Sequence, residues 1–218
     1  MRGWTVQEIA FTDVEAALSY ELDLLVQATA LGPQLLIWEL NTYAVVLGYS
    51  RAEQVDADMT KCAEDHVPVV RRRSGGGTVL LGPGCMCYSL AMPFAGQAHL
   101  QDIGSTNRWV LQRVASALSS NCSEVITVSG VSDLTVSDRK IGGSAQRRTR
   151  DGVLWHGTLL YDFDLTRIAR YLREPDRQPE YRERRRHGEF VRNLPVPRAQ
   201  LVELLTQTFD AKQELASG

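Results

Sequence analysis

Lysine is nearly missing from this chain. Of its 24 basic residues only Lys61, Lys140 and Lys212 are lysine, and arginine supplies the rest. Long hydrophobic runs are missing as well. No stretch approaches the roughly 20 apolar residues that cross a bilayer, and Met1–Glu8 carries no apolar core of a secretory signal. The four cysteines, Cys62, Cys85, Cys87 and Cys122, match no disulfide framework, and Cys85-Met86-Cys87 lacks the second pair a structural zinc site needs. They read as reduced thiols packed like small hydrophobes, with the cytoplasm as the default location. A net charge of −2 gives no global pull toward nucleic acid. The expected partners therefore include neither nucleic acid nor membrane.

Two polar, glycine-rich runs stand out. The first is Arg71-Arg72-Arg73-Ser74-Gly75-Gly76-Gly77, and the second is Arg139-Lys140-Ile141-Gly142-Gly143-Ser144-Ala145. Lysine is a compact point charge on a thin stem, whereas arginine is a wide planar fork. A rare lysine beside two glycines suits a narrow space close to bare backbone. Consecutive glycines weaken regular structure, but they let a ligand lie against backbone N–H groups. Together the runs suggest an anionic, phosphate-bearing ligand. The alternatives are a bulge or tight turn for the glycines, a solvated face for the arginines and a plain surface position for Lys140. Asp133 either binds a magnesium ion or ribose or caps a turn. His156 is either a core histidine or a base, and Thr158 shares its strand face.

Hydrophobic spacing orders the elements. Thr12-Asp13-Val14-Glu15 reads as a capping box, followed by a helix with Leu18, Leu22, Leu25 and Val26 inward and ended by Gly32-Pro33. Leu35–Leu40 and Ala44–Gly48 read as strands joined by a turn, and a short helix carries Val55, Met59 and Cys62. Val67–Val70, Thr78–Leu81 and Cys87–Met92 are extended. A helix over Ser105–Ser119 places Val110, Val114, Ala117 and Leu118 inward. A hairpin-like stretch, Asp133–Ala145, faces a strand over Val153–Leu160. Two helices, Leu165–Tyr171 and Pro197–Phe209, flank an arginine-rich loop, Arg173–Pro195, and Gln213–Gly218 should fray. There is no regular βαβ alternation, no GxGxxG and no internal repeat. The pattern is α+β, with helices packed on a mixed, largely antiparallel sheet.

The motifs in order resemble a known family. Val69–Val79 resembles the RRxSGGGxV motif of the lipoate–protein ligase A family, Arg139–Gln146 its K-[IV]-x-G-x-A motif, and His156-Gly157-Thr158-Leu159-Leu160 its HGTLL strand. Ala44–Gly48 is similar to the family's VVLG strand. Three motifs in order and spacing are more specific than one glycine run. The resemblance implies a biotin/lipoate ligase-like, class II synthetase-like catalytic domain. Because few residues follow Leu160, the expectation is a single such domain over residues 1–218, without the separate C-terminal accessory domain that many of these ligases carry.

It also implies a two-step acyl transfer using ATP and Mg²⁺. Lipoate attacks the α-phosphate to give lipoyl-adenylate, and a lysine of an acceptor lipoyl-domain or H-protein-like protein then takes the lipoyl group. Lys140 matches the lysine at the activated carbonyl and α-phosphate. Arg72, Arg73, Ser74, Gly75, Gly76, Gly77, Thr78 and Val79 match the first motif, lining acyl chain and phosphate. Asp133 matches the acidic position tied to nucleotide and metal. Gly143 and Ala145 belong to the second motif, and His156 and Thr158 to the facing strand. Leu36, Val46, Val79 and Leu159 are candidates for an apolar tunnel.

Departures remain. Leu81-Gly82 replaces the His-Asp of many ligases, Gly82-Pro83-Gly84 is similar to the GPG of octanoyltransferases, and Ser132 replaces an asparagine. A separate accessory subunit is one possible partner. Arg182–His187 either docks an acidic acceptor or is a solvated loop. The competing reading is an octanoyl or lipoyl transferase acting from a carrier protein without ATP, which passes through a cysteine thioester. Here no cysteine follows Cys122.

Overall fold

The computed structural model describes residues 3–95 and 97–209, so the expected fraying of 213–218 lies outside the described residues. The strands are β1 Thr5–Phe11, β2 Gln34–Leu40, β3 Ala44–Leu47, β4 Val69–Arg71, β5 Val79–Leu81, β6 Cys85–Pro93, β7 Thr127–Ser129, β8 Asp133–Val136, β9 Arg139–Arg148 and β10 Gly152–Leu160. The helices are α1 Val14–Leu31, α2 Glu53–Asp56, α3 Met59–Glu64, α4 Ile103–Ser119, α5 Thr166–Tyr171, α6 His187–Phe190 and α7 Arg198–Phe209.

A seven-stranded sheet runs β1-β2-β6-β10-β9-β8-β7, and a three-stranded sheet runs β4-β3-β5. In the large sheet only β1 and β2 pair in parallel. The architecture is therefore α+β with a mixed, largely antiparallel sheet. Both faces of that sheet are covered, which is why Leu35–Trp38 of β2 read as an unbroken apolar run. Leu36, Trp38 and Leu40 face a core shared with α1, the small sheet, α5 and α6. Leu35 and Ile37 face a second core under α4 and α7. The period-two alternation is present, but burial on both sides hides it from a hydropathy reading.

Several elements differ from the sequence expectation. The cap of α1 is Asp13, not Thr12: its carboxylate accepts from the Glu15 and Ala16 amides at 3.1 Å each. The buried stripe of α1 is Val14, Ala17, Glu21, Leu24, Leu25 and Ala28, and Val26 is 72% exposed. A carboxylate, Glu21, thus sits in an otherwise apolar stripe. Strands β2 and β3 are neighbours in sequence but lie in different sheets. The expected single helix over Val55–Cys62 is two, broken where Ala57 is extended and bridges Leu172. In α4, Leu111 and Ala115 are buried and Ala117 is only partly so. The 173–195 segment is a packed structure with a 3₁₀ turn at Glu180–Arg182, α6, and Phe190, Val191 and Leu194 in the cores.

Asn107 on α4 shows how the second core supports the loop before β8. Its side-chain oxygen accepts from Trp155 Nε1 at 2.9 Å and Gln146 Nε2 at 2.8 Å, and its Nδ2 donates to the Val131 carbonyl at 3.1 Å. A buried indole N–H left without an acceptor costs about 1–3 kcal/mol. Asn107→Ala should therefore lower the unfolding free energy by about 2 kcal/mol. Urea denaturation should show a lower midpoint with an unchanged slope.

Candidate active site

The first glycine run forms a loop between β4 and β5, and a buried arginine gives it its shape. Arg72 is 6% exposed and donates to four groups of the loop and its neighbouring strand. Its Nε reaches Ser74 Oγ at 2.9 Å, Nη1 the Val46 carbonyl at 3.2 Å, and Nη2 the carbonyls of Gly75 at 2.6 Å and Gly77 at 2.8 Å. With those carbonyls turned toward Arg72, the N–H groups of Gly75, Gly76 and Gly77 make no hydrogen bond among the described residues. Gly76 adopts φ +88°, and a Cβ there would lie 3.0 Å from Arg72 Nη2. Burial pulls the Arg72 guanidinium down to about 10, with Glu21 acting the other way, so it remains a cation at neutral pH.

A chain of polar groups continues from this loop into the core. Ser74 Oγ lies 2.7 Å from His156 Nε2, and His156 Nδ1 lies 3.0 Å from Glu21 Oε2. Glu21 also accepts from Trp38 Nε1 at 3.3 Å and from the Ser89 hydroxyl. Burial by itself would raise the Glu21 carboxyl. Attraction to His156 and the hydrogen bonds from His156, Ser89 and Trp38 outweigh it, and the net direction is below the usual carboxylate range. Ser74, His156 and Glu21 have the connectivity of a nucleophilic triad, but Ser74 is 2% exposed and does not line the cavity described next. Its oxygen also accepts from Arg72. The arrangement is a brace, and His156 is a bridge within it.

The second glycine run lies across the cleft on β9. Strands β8 and β9 are joined by a tight turn in which Ser137 and Asp138 both have positive φ, 47° and 59°. The pairing then shifts register, from Leu134 with Gly142 to Thr135 with Lys140. Continuous pairing would place Lys140 opposite Val136, on the core face of the sheet. The bulge returns it to the face of Asp133 and Gly143. Lys140 Nζ lies 2.8 Å from Asp133 Oδ1, and Tyr181 OH donates to Asp133 Oδ2 at 2.7 Å. Burial and the Asp133 carboxylate raise the Tyr181 hydroxyl, so it stays a donor. A Cβ on Gly143 would lie 2.7 Å from Lys140 Nζ, so only glycine leaves the ammonium its space.

Lys140 borders two adjoining cavities. The inner one, about 160 Å³, is lined by Leu18, Glu21, Trp38, Val46, Arg72, Gly76, Gly77, Thr78, Val79, Leu81, Cys87, Gly143, Ala145, His156 and Thr158, among others. The outer one, about 570 Å³, shares Gly76–Val79, Asp133, Lys140 and Thr158 and adds Arg51, Asp56, Arg173, Arg177, Arg182 and His187. In the outer cavity Asp56 is forked by Arg51 and accepts from Thr78. The Arg51 bond outweighs burial and draws the Asp56 carboxyl below its usual range.

The structure thus brings Arg72, Gly76, Gly77, Thr78, Val79, Asp133, Lys140, Gly143, Ala145, His156 and Thr158 to one cleft. Ser74 stands behind the wall, and Gly75 is exposed outside the lining. The Arg73 side chain is exposed too, while its carbonyl accepts from Arg147 at 3.2 Å. Among the tunnel candidates Val46 and Val79 line the inner cavity, but Leu36 and Leu159 are core, on opposite faces of the sheet. Glu21, Trp38, Cys87 and Tyr181 were not legible as site residues. The carboxylate in the α1 stripe is the one signal that pointed to any of them. The Gly82-Pro83-Gly84 turn is structural, since a Cβ on Gly82 would meet the Tyr43 ring at 2.4 Å.

Comparison with known proteins gives the same picture. The sequence model of the lipoyl protein ligase A/B catalytic domain matches residues 13–210. Probable lipoate-protein ligase A from Mycoplasma pneumoniae is 31% identical over 135 residues, 62% of this chain and 38% of the relative. The Mycoplasma genitalium relative gives the same figures, so the match spans well under half the length of either. A bi-partite lipoate protein ligase from Thermoplasma acidophilum, described along with its E2 lipoyl domain, superposes with a TM-score of 0.79 at 19% identity, covering 96% of this chain and 83% of that one. A lipoate-protein ligase A bound with ATP gives 0.78 at 21% identity, covering 96% and 84%. LipL1 from P. falciparum, in complex with lipoate, gives 0.75 at 21%, covering 95% and 59%. These structures share the fold.

The Glu21 carboxyl is held below its ordinary value of 4.5 in the folded chain. Its stabilisation is therefore complete above that value and is lost as pH falls through the lower, folded one. Glu21→Gln should be less stable than the native chain near neutrality, and the gap should close on acidification. Urea midpoints taken between about pH 3 and pH 7 check this.

Proposed function

The chain belongs to the lipoyl protein ligase A/B catalytic-domain family, and on that premise we propose that it activates lipoate with ATP and passes the lipoyl group to a lysine of an acceptor lipoyl-domain protein. The observation that carries this reading is the place of Lys140. Its ammonium borders both the small inner cavity and the larger outer one, with Gly76 and Gly77 on both walls. The inner cavity suits a thin acyl chain, and the outer one has room for a nucleotide.

In the first step the lipoate carboxylate attacks the α-phosphorus and pyrophosphate leaves. In the second, an acceptor amine attacks the acyl carbon and AMP leaves. Both steps gather negative charge on oxygens near the acyl–phosphate junction. A fixed ammonium and unengaged backbone N–H groups stabilise that charge without reorganising. Asp133, with Tyr181 on its second oxygen, keeps the ammonium in place.

Magnesium fits the site in one way. Among the described residues no three or more His, Cys, Asp or Glu side chains gather as a metal cage. Asp133 offers one carboxylate at the junction, and Mg²⁺ is commonly held by one or two carboxylates together with substrate phosphates. When bound there it would neutralise phosphate charge.

The thioester route has less support. Cys87 lines the inner cavity, but burial and then Cys85 raise its thiol well above the ordinary range, which suppresses the thiolate. Cys122 lies outside both cavities. A dithiolane lying against Cys87, Trp38 and Val46 is a better reading of that wall. No helix among the described residues is long and apolar enough to cross a membrane, and we place the enzyme in the cytoplasm.

The purified chain should catalyse lipoate-dependent exchange of pyrophosphate into ATP. Lys140→Ala should lower that rate by roughly 100-fold or more, the scale of one lost charge-stabilising donor. Exchange that continues unchanged in Lys140→Ala would remove the role assigned to this residue. Transfer from an octanoyl-carrier protein without ATP, with a thioester adduct in the intact mass, would replace the ligase reading by the transferase one.

A further inference from the structure

The arginine-rich segment between α5 and α6 borders the outer cavity, and its cations are not alike. Arg182 is buried and donates to Glu174 at 2.6 Å. Across the cavity Arg51 is forked onto Asp56, and Lys140 is paired with Asp133 at 2.8 Å. Arg173 and Arg177 border the same cavity, and among the described residues their side chains make no hydrogen bond or ion pair. Arg184 and Arg186 are also on this segment but do not line the cavity.

The backbone at Arg173 is fixed. Its N–H donates to the Asp56 carbonyl at 2.9 Å, and its own carbonyl lies 3.2 Å from His187 Nε2. Further along, Tyr181 fastens the segment to Asp133. The segment therefore presents two uncompensated guanidinium groups toward a cavity whose other arginines and Lys140 are already matched by carboxylates. Asp56 and Asp133 line this cavity against Arg51, Lys140, Arg173, Arg177 and Arg182, with Glu174 paired to Arg182 and Asp176 attracting Arg51, so the balance is cationic and a polyphosphate suits it. Guanidinium forks suit phosphate oxygens.

We propose that Arg173 and Arg177 bind the β- and γ-phosphates of the nucleotide and stabilise the departing pyrophosphate. This rests on the ligase reading and deepens it. An oxygen of the acyl carboxylate forms a bond to the α-phosphorus. The bond from that phosphorus to the bridging oxygen breaks, and its electron pair leaves on pyrophosphate. Lys140 serves the acyl–phosphate junction, and the charge that grows on the leaving group falls to the two arginines.

The two half-reactions separate this assignment from a general role in the cleft. Full-length Arg173→Ala, Arg177→Ala and the double variant are compared in ATP–pyrophosphate exchange and in lipoyl transfer from synthetic lipoyl-AMP to a lipoyl domain. The double variant should raise KM for ATP and lower kcat/KM for exchange by roughly 100-fold, about tenfold for each charge-assisted contact. Arg177→Lys should recover part of the loss. Transfer from lipoyl-AMP, which carries no pyrophosphate, should change far less than exchange does. Unchanged exchange in the double variant overturns the proposal, and so does an equal fall in both half-reactions. A native chain that transfers from lipoyl-AMP but never exchanges pyrophosphate overturns the ATP-dependent reading, a distinct result.

Discussion

The cleft depends on one buried pair of opposite charges, Arg72 and Glu21, linked through Ser74 and His156. Both are buried, and each would be costly without the hydrogen bonds that surround it. Arg72 satisfies itself on carbonyls of the glycine loop. Those carbonyls are held on Arg72, while the N–H groups of Gly75, Gly76 and Gly77 stay unengaged among the described residues. The burial of a guanidinium thus becomes the orientation of a backbone surface. Because Glu21 and His156 also line the inner cavity, the loop and the cavity wall form one connected structure.

A second set of contacts ties the far end of the chain to Lys140. The Lys140 carbonyl accepts from the Arg192 amide at 2.9 Å, and Arg139 donates to the Val191 carbonyl at 2.7 Å. Arg185 reaches the carbonyl of Asp138 at 3.0 Å. Together with Tyr181 on Asp133, these bonds hold the hairpin turn that carries the lysine. The segment that a sequence reading leaves as a polar loop is therefore part of the site's frame. Arg182 and Arg185 are occupied internally, which leaves fewer charges on this segment for an acidic docking partner.

The legible features were local ones. Most strand positions followed from β-branched and aliphatic runs, though β1 and β7 were not read, and helix ends followed from Gly32-Pro33 and from the turn into Pro197. The glycine runs were conspicuous because three adjacent glycines beside three arginines fit a ligand against bare backbone as well as a tight turn. Pairing was harder to read. Strands β2 and β3 look like a hairpin in one dimension, yet they separate into two sheets, because both hydrogen-bonding edges of β2 are taken by β1 and β6. Hydropathy records how much is buried and not against what.

By itself the sequence determined that the chain is α+β, and it marked the two glycine runs, with Lys140 as one of only three lysines, as the candidate site. Those conclusions need only residue identity and spacing, since glycine, arginine and lysine differ in size and charge wherever they stand. Tertiary structure decided which way the groups point. A one-residue register shift between β8 and β9 turns Lys140 from the core face to the cleft. Packing also makes Arg72 the clamp of the glycine loop, and brings Glu21 and Tyr181 across 135 and 48 residues to His156 and Asp133. Orientation in a sheet has a period of two, so a single slip inverts it, and no local pattern in the sequence records that slip.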